Sequence, residues 1–269
     1  MTPPQSTATR SAHRLARGLF LLVIVLFASR AVPGQRVNGQ QVNVDQLVQR
    51  SEDSLRGRTE QGKVSMTVHT PDWQRTLKMN YWAVNPDKTF IRVTAPARDA
   101  GTATLRIQTN MWNYLPSVER VIKIPPSLML QAWLGSDFTN DDLVRESSLV
   151  KDYSHKLDGE KTIAGDLCYR VVSTPKPNAP VVWGRVVLFV RKKDALPRRQ
   201  EYYDDRGTLK KVLVYEDFRV TGGRLYPMRW IMTSVTRPGH RTTLVFANLV
   251  FNRKIPASTF TRENLQQAF

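Results

Sequence analysis

The chain has 269 residues, 41% of them hydrophobic, and its 40 Lys+Arg against 23 Asp+Glu give a formal net charge of +17. That much apolar material excludes a wholly disordered chain, and the presence of a single long apolar run excludes a multispanning membrane protein. One cysteine, Cys168, excludes an intramolecular disulfide framework and a multi-cysteine metal site.

The apolar run lies near the start. Residues 1–17 hold Arg10, Arg14 and Arg17 with no acid, residues 18–28 read GLFLLVIVLFA, and Ser29, Ala31 and Gly34 supply small side chains. A basic head, a short apolar middle and a small-residue tail predict a secretory signal peptide over 1–34, cleaved after Ala31 or Gly34. The run falls short of the roughly 20 apolar residues of a membrane-spanning helix, and an uncleaved N-terminal anchor is the alternative. Removing residues 1–31 takes away four Arg and no acid, lowering the balance from +17 to +13. In an exported protein without a block of five Lys/Arg, that charge suits an anionic membrane surface or acidic lipid headgroups better than nucleic acid. A plain solvated basic face fits equally well.

In the remainder, 35–269, Asn43 opens a short amphipathic helix with Val44, Leu47, Val48 and Leu55 at helical spacing, ended by Gly57. Period-two alternation then takes over, in strands at 63–68, 75–84, 89–94 and 102–109, after which 111–116 leads through a turn to 120–124. The pattern pauses after Pro125-Pro126, where 127–135 is an apolar segment of helical character. Thr139-Asn140-Asp141-Asp142 is a capping box for a second short helix through Arg145. Strands resume at 153–158, 166–174, 181–191, 198–203, 209–218, 225–235 and 241–251, and Ala257-Ser258-Thr259 leads into a short C-terminal turn. Breaks every 8–12 residues at Pro, Gly, Asn and Asp predict an antiparallel meander of about eleven strands in one domain.

So long a sheet with so little helix must curl. Met79 and Tyr81, Trp112 and Tyr114, and Met228, Trp230 and Met232 fall on single strand faces. Either they fill a solid core, or a half-barrel lined by Met and Trp and capped by the apolar helix encloses an adaptable cavity.

No reaction centre emerges. His13, His69, His155 and His240 are isolated; the stretch from Asp137 begins like a calcium loop but has Asp142 where Gly is needed and Ser148 where Glu is needed. Cys168 reads as a buried inert thiol, and Arg191-Lys192-Lys193 with Arg198-Arg199 as solvated charges at a hairpin corner. The chain therefore reads as a non-enzyme without cofactor or metal.

The ordered set Met111-Trp112-Asn113-Tyr114-Leu115-Pro116, Arg120-Val121-Ile122-Lys123-Ile124, 135–143 (GSDFTNDDL), Cys168-Tyr169, Pro175-Lys176 and the hairpin from Tyr202-Tyr203-Asp204 to Lys210-Lys211 resembles the outer-membrane lipoprotein-sorting group, the LolA-like family of the bacterial periplasm. The resemblance covers roughly 40–269. It implies a mainly β fold, an unclosed antiparallel barrel with a helical lid over a hydrophobic cavity, and a periplasmic carrier moving the acyl chains of lipoproteins or lipid between inner and outer membranes. Its implied partners are an inner-membrane exporter of the resistance-nodulation-division (RND) type and an outer-membrane acceptor. With that role in view, Met129, Leu130 and Trp133 on the lid and Met79, Tyr81, Trp112, Tyr114, Met228, Trp230 and Met232 on the wall are the expected lipid-binding residues. Trp82 and Trp183 are left out, because the inward face is assigned from alternation alone and a one-residue slip exchanges the faces. A periplasmic sensor or adaptor of the same fold is the first rival reading, and a small envelope enzyme the second.

Overall fold

The structure, a computed structural model, describes residues 42–144 and 148–267. The expected signal peptide at 1–34 and the expected helix end at Arg145 lie outside the described residues. The first helix, α1 (Val44–Ser54), starts where the Asn43 side chain accepts the backbone N–H of Gln46 at 3.0 Å, and it buries Leu47 and Val48.

Six strands follow: β1 (Thr59–His69), β2 (Gln74–Val84), β3 (Lys88–Ala95), β4 (Ala103–Ile107), β5 (Asn110–Leu115) and β6 (Arg120–Lys123). Two short helices, α2 (Asn140–Val144) and α3 (Ser148–Asp152), precede seven more strands. These are β7 (Tyr153–Ile163), β8 (Asp166–Pro175), β9 (Arg185–Arg191), β10 (Pro197–Tyr203), β11 (Leu209–Thr221), β12 (Arg224–Ser234) and β13 (Arg241–Phe251), and α4 (Arg262–Gln266) closes the chain. The thirteen strands exceed the expected eleven because 110–115 and 120–123 pair as strands in their own right.

All thirteen form one antiparallel sheet in the order β6-β5-β4-β3-β2-β1-β13-β12-β11-β10-β9-β8-β7. Each strand lies beside its sequence neighbour, except that β1 pairs with β13 in the middle and β6 and β7 stand at the two edges. The residues between those edges, 124–152, thus connect the two free sides of an unclosed sheet. The sheet is curled: Ile91 and Val93 of β3 share one buried cluster with Leu213 and Tyr215 of β11, although four strands separate them in the sheet. Gly62 allows part of this curl, since a Cβ there would come within 2.8 Å of the Leu249 side chain across the β1–β13 bulge.

The outer face of β3–β6 is covered too. Phe90, Ala103 and Leu105 pack with Phe260 and Leu265, which the C-terminal segment brings across the sheet. What the sequence predicted as a short C-terminal turn is a 3-10 turn, Ala257–Phe260, followed by α4, whose start is capped where Thr261 accepts the Asn264 N–H at 3.2 Å. Arg92 reaches through from β3 and donates to the backbone carbonyls of Asn264 and Gln267.

The basic corner is not simply solvated, contrary to expectation. Arg191 and Arg198 are buried around Asp166, with the Arg191 guanidinium 3.8 Å from the Phe218 ring centre and 2.9 Å from Asp194. Cys168 beside them is fully buried, and desolvation pushes its thiol up to about 11.

Candidate functional site

The inward positions of the strands follow the period-two rule. Met79 and Tyr81 of β2 point inward, and so do Tyr226, Met228, Trp230 and Met232 of β12 and Leu244 and Phe246 of β13. Between these walls lies a cavity of about 230 Å³. The ring of Trp230 sits at the centre of one wall, 5.1 Å from Tyr215, 5.1 Å from Phe246 and 6.2 Å from Tyr226, and its indole N–H donates to the Pro227 carbonyl at 2.9 Å.

The lid is the chain between the sheet edges. The sequence predicts a helix over 127–135, whereas the structure has two 3-10 turns, Pro126–Leu128 and Trp133–Gly135. Ala132 turns extended (ψ 121°) and bridges Thr139, and Leu134 (φ 48°) and Gly135 (φ 74°) both take left-handed backbone, so no continuous helix forms. The Leu134 conformation is held where its carbonyl accepts from Arg75 at 2.5 Å. Trp133 is 3% exposed and lines the cavity; its indole N–H donates to the Thr104 hydroxyl at 3.1 Å, and that hydroxyl donates to Asn113 at 2.7 Å. Asp137 fastens the far end of the lid, accepting from the Thr242 hydroxyl and from Arg237, each at 2.8 Å. The capping box forms as expected: Thr139 N–H donates to Asp142 at 2.7 Å and Asp142 N–H to Thr139 at 3.1 Å.

Five of the ten expected residues line the cavity: Met79, Tyr81, Trp133, Trp230 and Met232. Met129 and Met228 pack against the same cluster behind that lining, and Leu130 is 57% exposed on the lid. Trp112 and Tyr114 are corrected outright, since they lie on the outer face with Leu105 and Phe260, while Met111 is the inward residue of β5. β5 carries large apolar side chains on both faces, Met111 on one and Trp112 and Tyr114 on the other, so alternation carries no sign of which is inside. Trp183, left out by the same reasoning, lines the cavity, its ring 5.4 Å from Tyr202. The cavity also runs on to Leu149, Tyr153 and Val186, which belong to a second apolar cluster beneath α1.

Sequence reasoning missed the polar groups of the lining, which no motif marks. The Gln200 side-chain oxygen accepts from the hydroxyls of Tyr202 and Tyr215, each at 2.9 Å. Burial, and then the neighbouring Tyr215, Asp142 and Glu52, raise the Tyr202 hydroxyl well above the ordinary tyrosine range, so it stays protonated. Lys211 pairs with Asp142 at 2.7 Å, and its ammonium lies 5.0 Å from the Trp183 ring. Toward α1 the lining becomes charged, with Arg56 and Glu52 paired at 3.3 Å and Glu60 accepting from Asn85 at 2.8 Å. Among the described residues no group of three or more His, Cys, Asp or Glu is placed to hold a metal ion, and no helix is long and apolar enough to cross a membrane. The arrangement offers adaptable apolar contact around a few fixed hydrogen-bonding groups, which is the chemistry of a binding cavity.

Comparison with known proteins places this geometry. A family model described as an uncharacterized protein family matches residues 85–267. A DUF1329 family protein from Desulfovibrio piger superposes with a TM-score of 0.76 at 23% identity, over 82% of this chain and 97% of that one. A putative outer membrane lipoprotein-sorting protein domain from Vibrio parahaemolyticus gives 0.73 at 21% identity, over 83% and 98%. A LolA superfamily protein from Nitrosomonas europaea gives 0.70 at 22% identity, over 83% and 100%. No curated protein matches the chain.

Proposed function

The chain belongs to the family of uncharacterized proteins whose model spans residues 85–267 and has a LolA-like fold, and from that premise we propose that it is a periplasmic carrier. Exported by its N-terminal signal, it binds the acyl chains of lipoproteins or lipids in the cavity and moves them between inner and outer membranes. An inner-membrane exporter of the RND type and an outer-membrane acceptor are the partners of this reading.

The observation that carries it is the Met- and aromatic-lined cavity beneath a segment that runs between the two free edges of the sheet and is fastened over it by a few polar contacts. A sixteen-carbon chain crossing water bare costs about 12 kcal/mol at roughly 0.8 kcal/mol per methylene. A carrier must cancel most of this and still release. Met79, Met232 and Trp230 supply contact that adapts to chain shape rather than one rigid fit. The cavity of about 230 Å³ is smaller than the roughly 300–1,000 Å³ of ordinary ligand sites, so loading displaces the Trp133 indole and the lid around it. In this reading Trp133 fills the empty carrier.

The test is native mass spectrometry of the purified mature protein with lipid extraction, together with uptake of a fluorescent acyl probe. Copurifying lipid and saturable uptake are expected, and the absence of both overturns the carrier. Trp133→Ala is expected to speed probe uptake while circular dichroism is unchanged; an unaltered uptake rate removes Trp133 as the gate.

A further inference from the structure

Gln200 is the most unusual member of the lining. Its side chain comes from the middle of β10 into the cavity and is only 7% exposed. A carboxamide has two donors and one oxygen with two acceptor sites. Here the oxygen is fully used by Tyr202 and Tyr215, and among the described residues the amide nitrogen makes no hydrogen bond, although Gln200 lines the cavity. With both tyrosine hydroxyls donating to the oxygen, the free group is the N–H donor, which can meet an acceptor oxygen that enters the cavity. The spot is walled by indoles on both sides, Trp183 against Tyr202 at 5.4 Å and Trp230 against Tyr215 at 5.1 Å.

We propose that Gln200, Tyr202 and Tyr215 form an interior subsite for a neutral oxygen of the cargo, an ester carbonyl or an alcohol, buried within its hydrocarbon. The inference deepens the carrier reading and rests on it. It makes the site selective for lipids that carry an uncharged oxygen into the cavity over plain hydrocarbon. The cations near the cavity are already matched by acids, Lys211 by Asp142 at 2.7 Å and Arg56 by Glu52 at 3.3 Å, and the burial that keeps the Tyr202 hydroxyl protonated also disfavours a bound carboxylate or phosphate.

The experiment titrates the purified mature protein with four probes of equal chain length, dodecane, dodecanol, methyl laurate and laurate, and follows tryptophan fluorescence. The wild type is expected to bind dodecanol or methyl laurate roughly three- to tenfold more tightly than dodecane, the scale of one buried hydrogen bond, and laurate no more tightly than dodecane. A preference for the alcohol assigns a hydroxylated cargo, and a preference for the ester assigns an acyl ester. Gln200→Leu should lose the preference, read as the ratio of oxygenated-probe to dodecane affinity within the same variant; Tyr202→Phe, the milder change, should lose part of it. Persistence of the preference in Gln200→Leu, no preference in the wild type, or tightest binding of laurate overturns the subsite while leaving the carrier standing. No binding of any probe overturns both.

Discussion

The two faces of β3–β5 are built from the same kinds of side chain and end in opposite conditions. On the outer face Phe90 and Leu105 meet Phe260 and Leu265, all four at most 5% exposed, with Arg92 tying α4 to the sheet through two backbone carbonyls. On the inner face Ile91 and Trp133 border a cavity that the protein's own side chains leave unfilled. Apolar residues on a strand thus say that a face is covered, and not by what. The chain seals the outer face with a segment fixed in sequence just after β13. It covers the inner face with a lid made of turns, fastened by a few polar contacts. Stability and function are therefore divided between the faces: close packing outside, exchangeable contact inside.

The largest effect expected from this division is on the solid side. Leu265→Ala removes a side chain that is 0% exposed and leaves a hole in closely packed surroundings, so it should cost about 2–5 kcal/mol. Chemical denaturation reads the loss directly. Acyl-probe affinity of the still-folded variant should be unchanged, because α4 does not line the cavity. A cost below 1 kcal/mol, or a change in probe affinity, would show that the two faces are not separate.

The next effect falls on the lid. Asp137 holds its end of the segment through the Thr242 hydroxyl and Arg237, and Thr242 is fully buried while Arg237 is half exposed. Asp137→Ala keeps the backbone N–H of residue 137 on the Thr242 hydroxyl but removes the acceptor of that hydroxyl's proton, and it leaves Arg237 free to turn to water, for a cost of about 1–3 kcal/mol. Amide exchange should quicken over 129–139 and stay unchanged in α4. Equal quickening in both would make the lid part of one cooperative unit with the outer cluster.

Much of this was readable in advance, and the failures have one cause. The strands, the turns between them and the Thr139–Asp142 capping box depend on neighbours within a few residues, and they form where the sequence placed them. Met79, Tyr81, Trp230 and Met232 were correctly assigned inward because their strands alternate with plainly polar residues such as Lys78, Asn80 and Arg229. Trp112 and Tyr114 were misassigned because β5 carries large apolar side chains on both sides, and only the distant Phe260 and Leu265 decide which side is out. The lid does not form the predicted helix, since the extended Ala132, bridged to Thr139, and the left-handed Leu134-Gly135 pair break it into turns. Gln200 escaped notice for the opposite reason: a single glutamine among Arg198, Arg199 and Glu201 looks like surface, and only the curl of the sheet brings it beneath Trp183 and Trp230.

The smallest effect is electrostatic and lies on β7. His155 of β7 is partly buried, with Nδ1 2.8 Å from the Ser173 hydroxyl. Burial, the dominant cause, lowers its pKa below the usual 6.5; Asp45 of α1 acts against this and Lys176 adds to it. A histidine depressed in the folded state contributes stability that is complete above pH 6.5 and declines as pH falls toward its lower folded value, because the unfolded chain takes up the proton first. His155→Gln, which keeps a hydrogen-bonding partner for Ser173 and cannot titrate, should flatten that decline. The difference in melting temperature between wild type and variant should therefore change between pH 7.5 and pH 5 by no more than about 2–4 °C, the scale of 1 kcal/mol in a domain of this size. The sign is the discriminating part: the wild type must lose ground to the variant as the solution is acidified. A gain instead would mean that His155 is charged in the folded protein and paired with Asp45 of α1.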